Sequence, residues 1–107
     1  MATVERAVRL ISEGALDRAP VEVLAASLGV GPRHLSRLFD KHLGASPAQI
    51  AKTARVQRAK RLLDDTKLPM IEIALLAGFR SLRRFNAVFA EVYKRRPTEI
   101  RRAQRNG

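Results

Sequence analysis

The sequence predicts an all-α protein of seven helices, arranged as two helix-turn-helix subdomains joined by a long linker helix. Three observations lead there. No segment alternates apolar and polar residues as a half-buried strand would, whereas apolar residues recur at helical spacing along the chain. The chain also repeats itself. Leu24-Ala25-Ala26-Ser27-Leu28-Gly29-Val30 returns as Ile73-Ala74-Leu75-Leu76-Ala77-Gly78-Phe79, an offset of 49. Beyond the glycines the offset is 50: Leu38-Phe39 returns as Val88-Phe89, Ser46-Pro47 as Arg96-Pro97, and Ile50 as Ile100. Each copy reads as a short apolar helix, a glycine turn and a second amphipathic helix. The boundaries expected are 1–45 for the first subdomain, 46–67 for the connecting helix and 68–107 for the second.

The first helix covers Val4–Glu13, because Val4, Ala7, Val8 and Ile11 fall at i, i+3, i+4 and i+7, and Gly14 ends it. Pro20 starts the next, with Val23, Leu24 and Leu28 as its inner stripe, and Gly29 turns the chain. A third helix from Pro32 to His42 buries Leu35, Leu38 and Phe39. It turns Arg33, Ser36, Arg37 and Lys41 outward, and Gly44 is its stop. Ser46-Pro47 is an N-cap followed by proline at the first helical position. Nothing breaks the helix it opens until Leu68-Pro69, with Ile50, Val56, Ala59, Leu62 and Leu63 on its inner side. About twenty residues at 1.5 Å each make a rod of roughly 30 Å.

The second copy follows the same course. Pro69–Ala77 repeats the second helix, Gly78-Phe79 repeats the turn, and Ser81 caps the next helix. On that helix Phe85, Val88, Phe89 and Val92 point inward; Arg83, Arg84, Asn86 and Ala87 point outward. Pro97 opens a last short helix anchored by Ile100, and the tail from Arg101 to Gly107 is expected to fray.

Composition narrows the partner. In 107 residues, Lys and Arg number 21 against 10 for Asp and Glu, a formal charge of +11. Residues 1–53 carry 7 basic and 5 acidic side chains, whereas residues 54–107 carry 14 and 5. Such a surplus implies a polyanion, and Arg outnumbers Lys 16 to 5, which favours bidentate recognition of phosphate and guanine. A helix-turn-helix places its second helix in the major groove, so double-stranded DNA is the expected partner.

The absence of cysteine excludes disulfides and thiolate chemistry and fits a cytoplasmic setting. No apolar run approaches the ~20 residues that span a bilayer, and no signal peptide opens the chain. A membrane-binding amphipathic protein would instead line one continuous helix with charge.

Candidate chemistry is sparse. His34 and His42 lie eight apart on one helix with no ligand-type partners around them, so no metal is expected; His34 suits a phosphate contact. Asp64-Asp65 ends a helix and suits capping or salt bridging rather than acid–base work. No nucleophilic triad, phosphate-cradling glycine loop or zinc-protease motif occurs, so neither catalysis nor a cofactor is expected. Lys94-Arg95-Arg96 stands where the first copy has Gly44-Ala45-Ser46, and reads either as a solvated basic loop or as a phosphate clamp, with Lys41 as a further phosphate contact.

Taken in order, these residues resemble the AraC-family DNA-binding domain over nearly the whole chain. The likeness runs through Leu28-Gly29-Val30, Leu35-Ser36-Arg37-Leu38-Phe39, Gly44-Ala45-Ser46-Pro47 and Arg58-Ala59-Lys60-Arg61-Leu62-Leu63. It continues through Ile71-Glu72-Ile73-Ala74, Gly78-Phe79-Arg80-Ser81, Phe85 to Phe89, and Arg96-Pro97 to Ile100-Arg101. The resemblance implies a monomeric module of a transcription regulator, an activator that contacts RNA polymerase, with two recognition helices in adjacent major grooves. It implies base contacts by Arg33, Ser36 and Arg37 and by Arg83, Arg84, Asn86 and Ala87. The chain departs from the family where Lys94 and Arg96 replace the usual glycine and hydroxyl before the last proline, and where Ala87 replaces a polar side chain. The wording Leu28-Gly29-Val30-Gly31-Pro32-Arg33-His34-Leu35 and Leu68-Pro69-Met70-Ile71-Glu72-Ile73-Ala74 is similar to one branch, the central segment of Ada-like and AlkA-fusion alkylation-repair proteins. That branch implies an alternative role, the DNA-docking arm of a repair enzyme.

Binding to duplex DNA should be strongly salt-dependent. With roughly 6–8 phosphates neutralised, the log–log slope of affinity against salt should lie near −5 to −7. A titration giving a slope shallower than about −2 would contradict the reading.

Overall fold

The computed structural model describes residues 2–106, all of whose regular structure is helical. The helices are α1 (Ala2–Ser12), α2 (Ala15–Arg18), α3 (Val21–Ser27), α4 (Pro32–Leu43), α5 (Pro47–Asp65), α6 (Met70–Leu76), α7 (Leu82–Tyr93) and α8 (Pro97–Asn106). Eight helices thus stand where seven were expected. The addition is α2, one turn that forms as the chain leaves Gly14, whose φ of 98° ends α1 in the left-handed region. The tail is also more ordered than its composition suggested. Helix α8 continues to Asn106, because the Arg101 guanidinium donates to the carbonyls of Leu68 (2.5 Å) and Thr66 (3.2 Å) and Gln104 donates to Asp64 (2.5 Å). Gly107, part of the same expectation, lies outside the described residues.

The chain divides into two compact units, 1–54 and 55–107, and each has its own core. In the first, Val4, Ala7 and Ile11 of α1 pack with Leu24 and Ala25 of α3, Leu35 and Phe39 of α4, and Ala51 of α5. In the second, Val56, Ala59 and Leu63 of α5 pack with Ile73 and Ala74 of α6 and with Phe85, Val88 and Phe89 of α7. The stripe expected on α5 therefore serves two cores: Ile50, Ala51 and Ala54 belong to the first, and Val56, Ala59, Leu62 and Leu63 to the second. This exposes a further level of the repeat. Val4, Ala7 and Ile11 match Val56, Ala59 and Leu63 at an offset of 52, so the C-terminal half of α5 opens the second unit as α1 opens the first.

Two residues assigned inward are outside. Val23 is 55% exposed, because the buried stripe of the short α3 falls on Leu24 and Ala25. Val92 is 44% exposed; the next inward position after Phe89 is Tyr93, whose ring centroid lies 4.7 Å from that of Phe89.

The turns before α5 and α8 show how one geometry is built from different residues. Gly44 (φ 66°) and Lys94 (φ 59°) both cap the preceding helix in the left-handed region, donating to the carbonyls of Asp40 (3.0 Å) and Ala90 (2.8 Å). Ser46 and Gln49 then form a reciprocal capping box: the Ser46 N–H donates to Gln49 Oε1 (2.7 Å), and the Gln49 N–H donates to Ser46 Oγ (3.1 Å). In the second copy Arg96 lacks the hydroxyl but keeps half of this arrangement, since its N–H and its Nε both donate to Glu99 Oε1 at 3.1 Å. These bonds hold the Glu99 carboxyl below its ordinary range, the Arg96 backbone N–H contributing most.

Lys94 is the only non-glycine among the described residues with a positive φ. A left-handed conformation costs a residue with a Cβ roughly 1–2 kcal/mol, partly offset because glycine loses more entropy on folding. Lys94→Gly should therefore raise stability by about 0.5–1 kcal/mol. A urea-unfolding midpoint that moves up checks this; one that moves down would contradict it.

Candidate nucleic-acid interface

Each unit presents a helix pair joined by a tight turn. The Val30 N–H reaches back to the Ala25 carbonyl (3.1 Å), and the Phe79 N–H reaches back to that of Ala74 (2.9 Å). This closure satisfies carbonyls left over at the helix end, and it needs a residue free to adopt positive φ. Gly29 (φ 75°) and Gly78 (φ 103°) provide it.

Beyond the turns, burial fixes which way α4 and α7 face. Leu35 and Phe39 are fully buried, so Arg33, His34, Ser36, Arg37 and Lys41 are all exposed on α4. On α7, Phe85, Val88 and Phe89 are buried, leaving Arg83, Arg84 and Ala87 exposed and Asn86 partly so. Phe85 sits between Phe79 and Phe89, with ring centroids 5.4 Å and 5.6 Å away, an aromatic row that backs the second helix. Burying each such side chain contributes roughly 1.5–3 kcal/mol, which resists rotation of the helix about its axis. The starts of the two helices differ. Ser81 Oγ accepts from the Arg84 N–H (3.1 Å), whereas α4 begins with Gly31 and Pro32 and has no side-chain cap.

The basic residues fall into two groups. Among the described residues, the side chains of Arg33, Arg37, Lys41, Arg83, Arg84, Lys94 and Arg95 make no hydrogen bond or ion pair. Others are occupied internally. Arg58 donates to the Ala77 carbonyl at the end of α6 (2.6 Å), Arg101 tethers the loop after α5, and Lys60 pairs with Asp64 (2.7 Å). The Lys60 bond, followed by that of Gln104, lowers the Asp64 carboxyl. Asp64 thus takes the salt-bridging role expected of the acidic pair. Arg96 is turned partly to local use by Glu99, although its side chain stays 72% exposed. Part of the positive surplus of the second unit is therefore structural, which a count of charges could not reveal. The signal available in the sequence was position: Arg58 and Arg101 lie on the helices flanking the hairpin rather than on α7.

This double helix-turn-helix defines a class, and comparison narrows it. Residues 24–103 match the helix-turn-helix domain family. The chain is 42% identical over 98 residues, 92% of its length, to the probable bifunctional transcriptional activator/DNA repair enzyme AlkA of Mycobacterium tuberculosis, and spans 20% of that protein. A transcriptional regulator of Chromobacterium violaceum with an AraC-type DNA-binding domain superposes with a TM-score of 0.86 at 30% identity, covering 97% of this chain and 92% of that one. The DNA-binding domain of AdpA, solved in complex with a target DNA, gives 0.88 at 30% identity over 96% and 93% of the two chains. The chain belongs to the AraC-type helix-turn-helix family.

The structural cations should be separable from the free ones by experiment. Arg101→Met removes two bonds from a charged donor and should cost about 1–2 kcal/mol of stability. It should leave the salt slope of DNA binding unchanged within about half a unit. A slope that falls by a full unit would show that Arg101 meets phosphate instead.

Proposed function

We propose that this chain is the sequence-specific, double-stranded-DNA-binding module of a transcription regulator, in which α4 and α7 enter adjacent major grooves. One observation carries this. In each unit a helix with a fully buried apolar stripe turns unpartnered side chains outward at matching positions, residues 33, 36 and 37 and residues 83, 86 and 87. Burial fixes the direction in which the helix presents these side chains, and among the described residues no hydrogen bond or ion pair satisfies the cations among them. A groove lined with guanine acceptors and flanked by phosphates would.

On this reading Arg33, Ser36 and Arg37 read bases through α4, and Arg83, Arg84, Asn86 and Ala87 do so through α7, with Ala87 limited to apolar contact such as a thymine methyl. His34, Lys41, Lys94, Arg95 and Arg96 contact phosphate. The two units are tandem and non-identical, so one molecule of the isolated domain suffices and the site is asymmetric, with two blocks within a footprint of roughly 20 bp. Contact with RNA polymerase, action as an activator and a place in the bacterial cytoplasm belong to the same proposal. The likeness to a bifunctional activator and repair enzyme favours a second setting, in which the module docks a catalytic partner on DNA with the same interface.

The first unit should supply more discrimination and the second more general affinity. Arg37→Ala should cost ~1–3 kcal/mol on the preferred site and relax one block of it, because a bidentate base contact is lost. Arg95→Ala should weaken binding to all sequences alike and reduce the salt slope by about one. Both are measured on selected and scrambled duplexes at two salt concentrations. Equal losses on both duplexes for Arg37→Ala would remove α4 from the role of base reader.

A further inference from the structure

On α4, residues 33, 36, 37 and 40 fall at i, i+3, i+4 and i+7, and so share one face. Three of them are Arg33, Ser36 and Arg37. The fourth is Asp40, also exposed, which puts a carboxylate on a face proposed to meet a polyanion. Stability does not account for it. Asp40 lies in the last turn of α4, where the helix dipole disfavours an anion and where Lys41 and His42 are the complementary residues. Among the described residues its carboxylate makes no ion pair or hydrogen bond, neither with Arg37 one turn back nor with Lys41 beside it. Its backbone is engaged in the ordinary way of a helix end, the carbonyl accepting from the Gly44 N–H at 3.0 Å. The matching position of the second unit is Ala90, so the repeated fold does not require an acid there.

We propose that Asp40 is a specificity-determining residue of the first unit, accepting a hydrogen bond from an exocyclic base amine, that of cytosine, in the major groove. The proposal rests on α4 lying in that groove. A carboxylate offers acceptors only. The base edges in the major groove that donate are cytosine N4 and adenine N6, and the adenine amine lies beside the N7 acceptor, which repels a second acceptor. Cytosine therefore fits best. Opposite guanine or thymine the carboxylate is desolvated without a partner, and wherever the helix meets phosphates alone it is repelled. Asp40 thus works in two directions. It rewards one base, and it lowers the indiscriminate affinity that a chain of charge +11 would otherwise have.

The test is selection of bound duplexes from a random pool by the whole chain and by Asp40→Ala, Asp40→Asn and Arg37→Ala, followed by affinities on selected and scrambled DNA. The wild type should select cytosine at one position of the block read by the first unit. Asp40→Ala should erase that preference, tighten binding to scrambled DNA, and shrink the selected-to-scrambled ratio about tenfold. Asp40→Asn should move the position toward adenine, whose N6 and N7 pair bidentately with an amide. Melting midpoints of both variants should equal or slightly exceed that of the wild type, since an unfavourable charge leaves the helix end. Unchanged base preferences with every affinity raised alike would overturn the proposal and leave Asp40 as a general repulsive charge. If Arg37→Ala relaxes its block while the Asp40 variants change no preference, only the assignment of Asp40 falls. If none of the three alters any preference, α4 is not in the groove and the underlying reading falls with it.

Discussion

The burial of one apolar stripe on α4 and one on α7 is the constraint on which the rest depends. Leu35 and Phe39 on α4, and Phe85, Val88 and Phe89 on α7, are held against the helices that precede them. A helix has one rotational setting that buries such a stripe, and that setting decides which side chains face outward. Arg33 and Arg37 are outward because Leu35 and Phe39 are inward. A protein of this size has little stability to spare, so spending its aromatic side chains behind these helices ties precision in the site to the core itself. Among the described residues no hydrogen bond or ion pair fixes the direction of the free cations, which carry long, flexible side chains.

Helix α5 makes the duplication economical. Its first half closes one core through Ile50, Ala51 and Ala54, and its second half opens the other through Val56, Ala59 and Leu63. The same helix therefore corresponds to α8 at its start and to α1 at its end. This also explains why its apolar residues do not form one clean stripe. A single-core helix would show one; a helix shared by two cores shows two short ones.

Much of this was legible in the sequence because the signals were local and repeated. Gly29 and Gly78 marked turns closed by corresponding hydrogen bonds, Val30 to Ala25 and Phe79 to Ala74, Ser46-Pro47 announced a capping box, and Ser81 announced a cap. The outward positions of α4 and α7 followed from periodicity alone. What escaped depended on contacts far apart in the chain or on conformations with no sequence signature. The order of α8 comes from Arg101 and Gln104 reaching back more than thirty residues, to carbonyls and a carboxylate that no local pattern connects to them. The left-handed Lys94 is invisible because lysine rarely takes that conformation, and only its alignment with Gly44 exposes it. Which cations are free and which are structural is likewise a tertiary fact.

The most direct test of the central claim is to follow the backbone amide signals of the isotope-labelled chain by NMR while a selected duplex is added. The account predicts the largest shifts at Arg33, Ser36 and Arg37 and at Arg83, Asn86 and Ala87, with smaller ones at Lys94 and Arg95 and little change along α1. Shifts confined to the basic surface of α8 and the loop after α5, with α4 and α7 unmoved, would show that charge alone binds the DNA and that the two repeated helices do not read it.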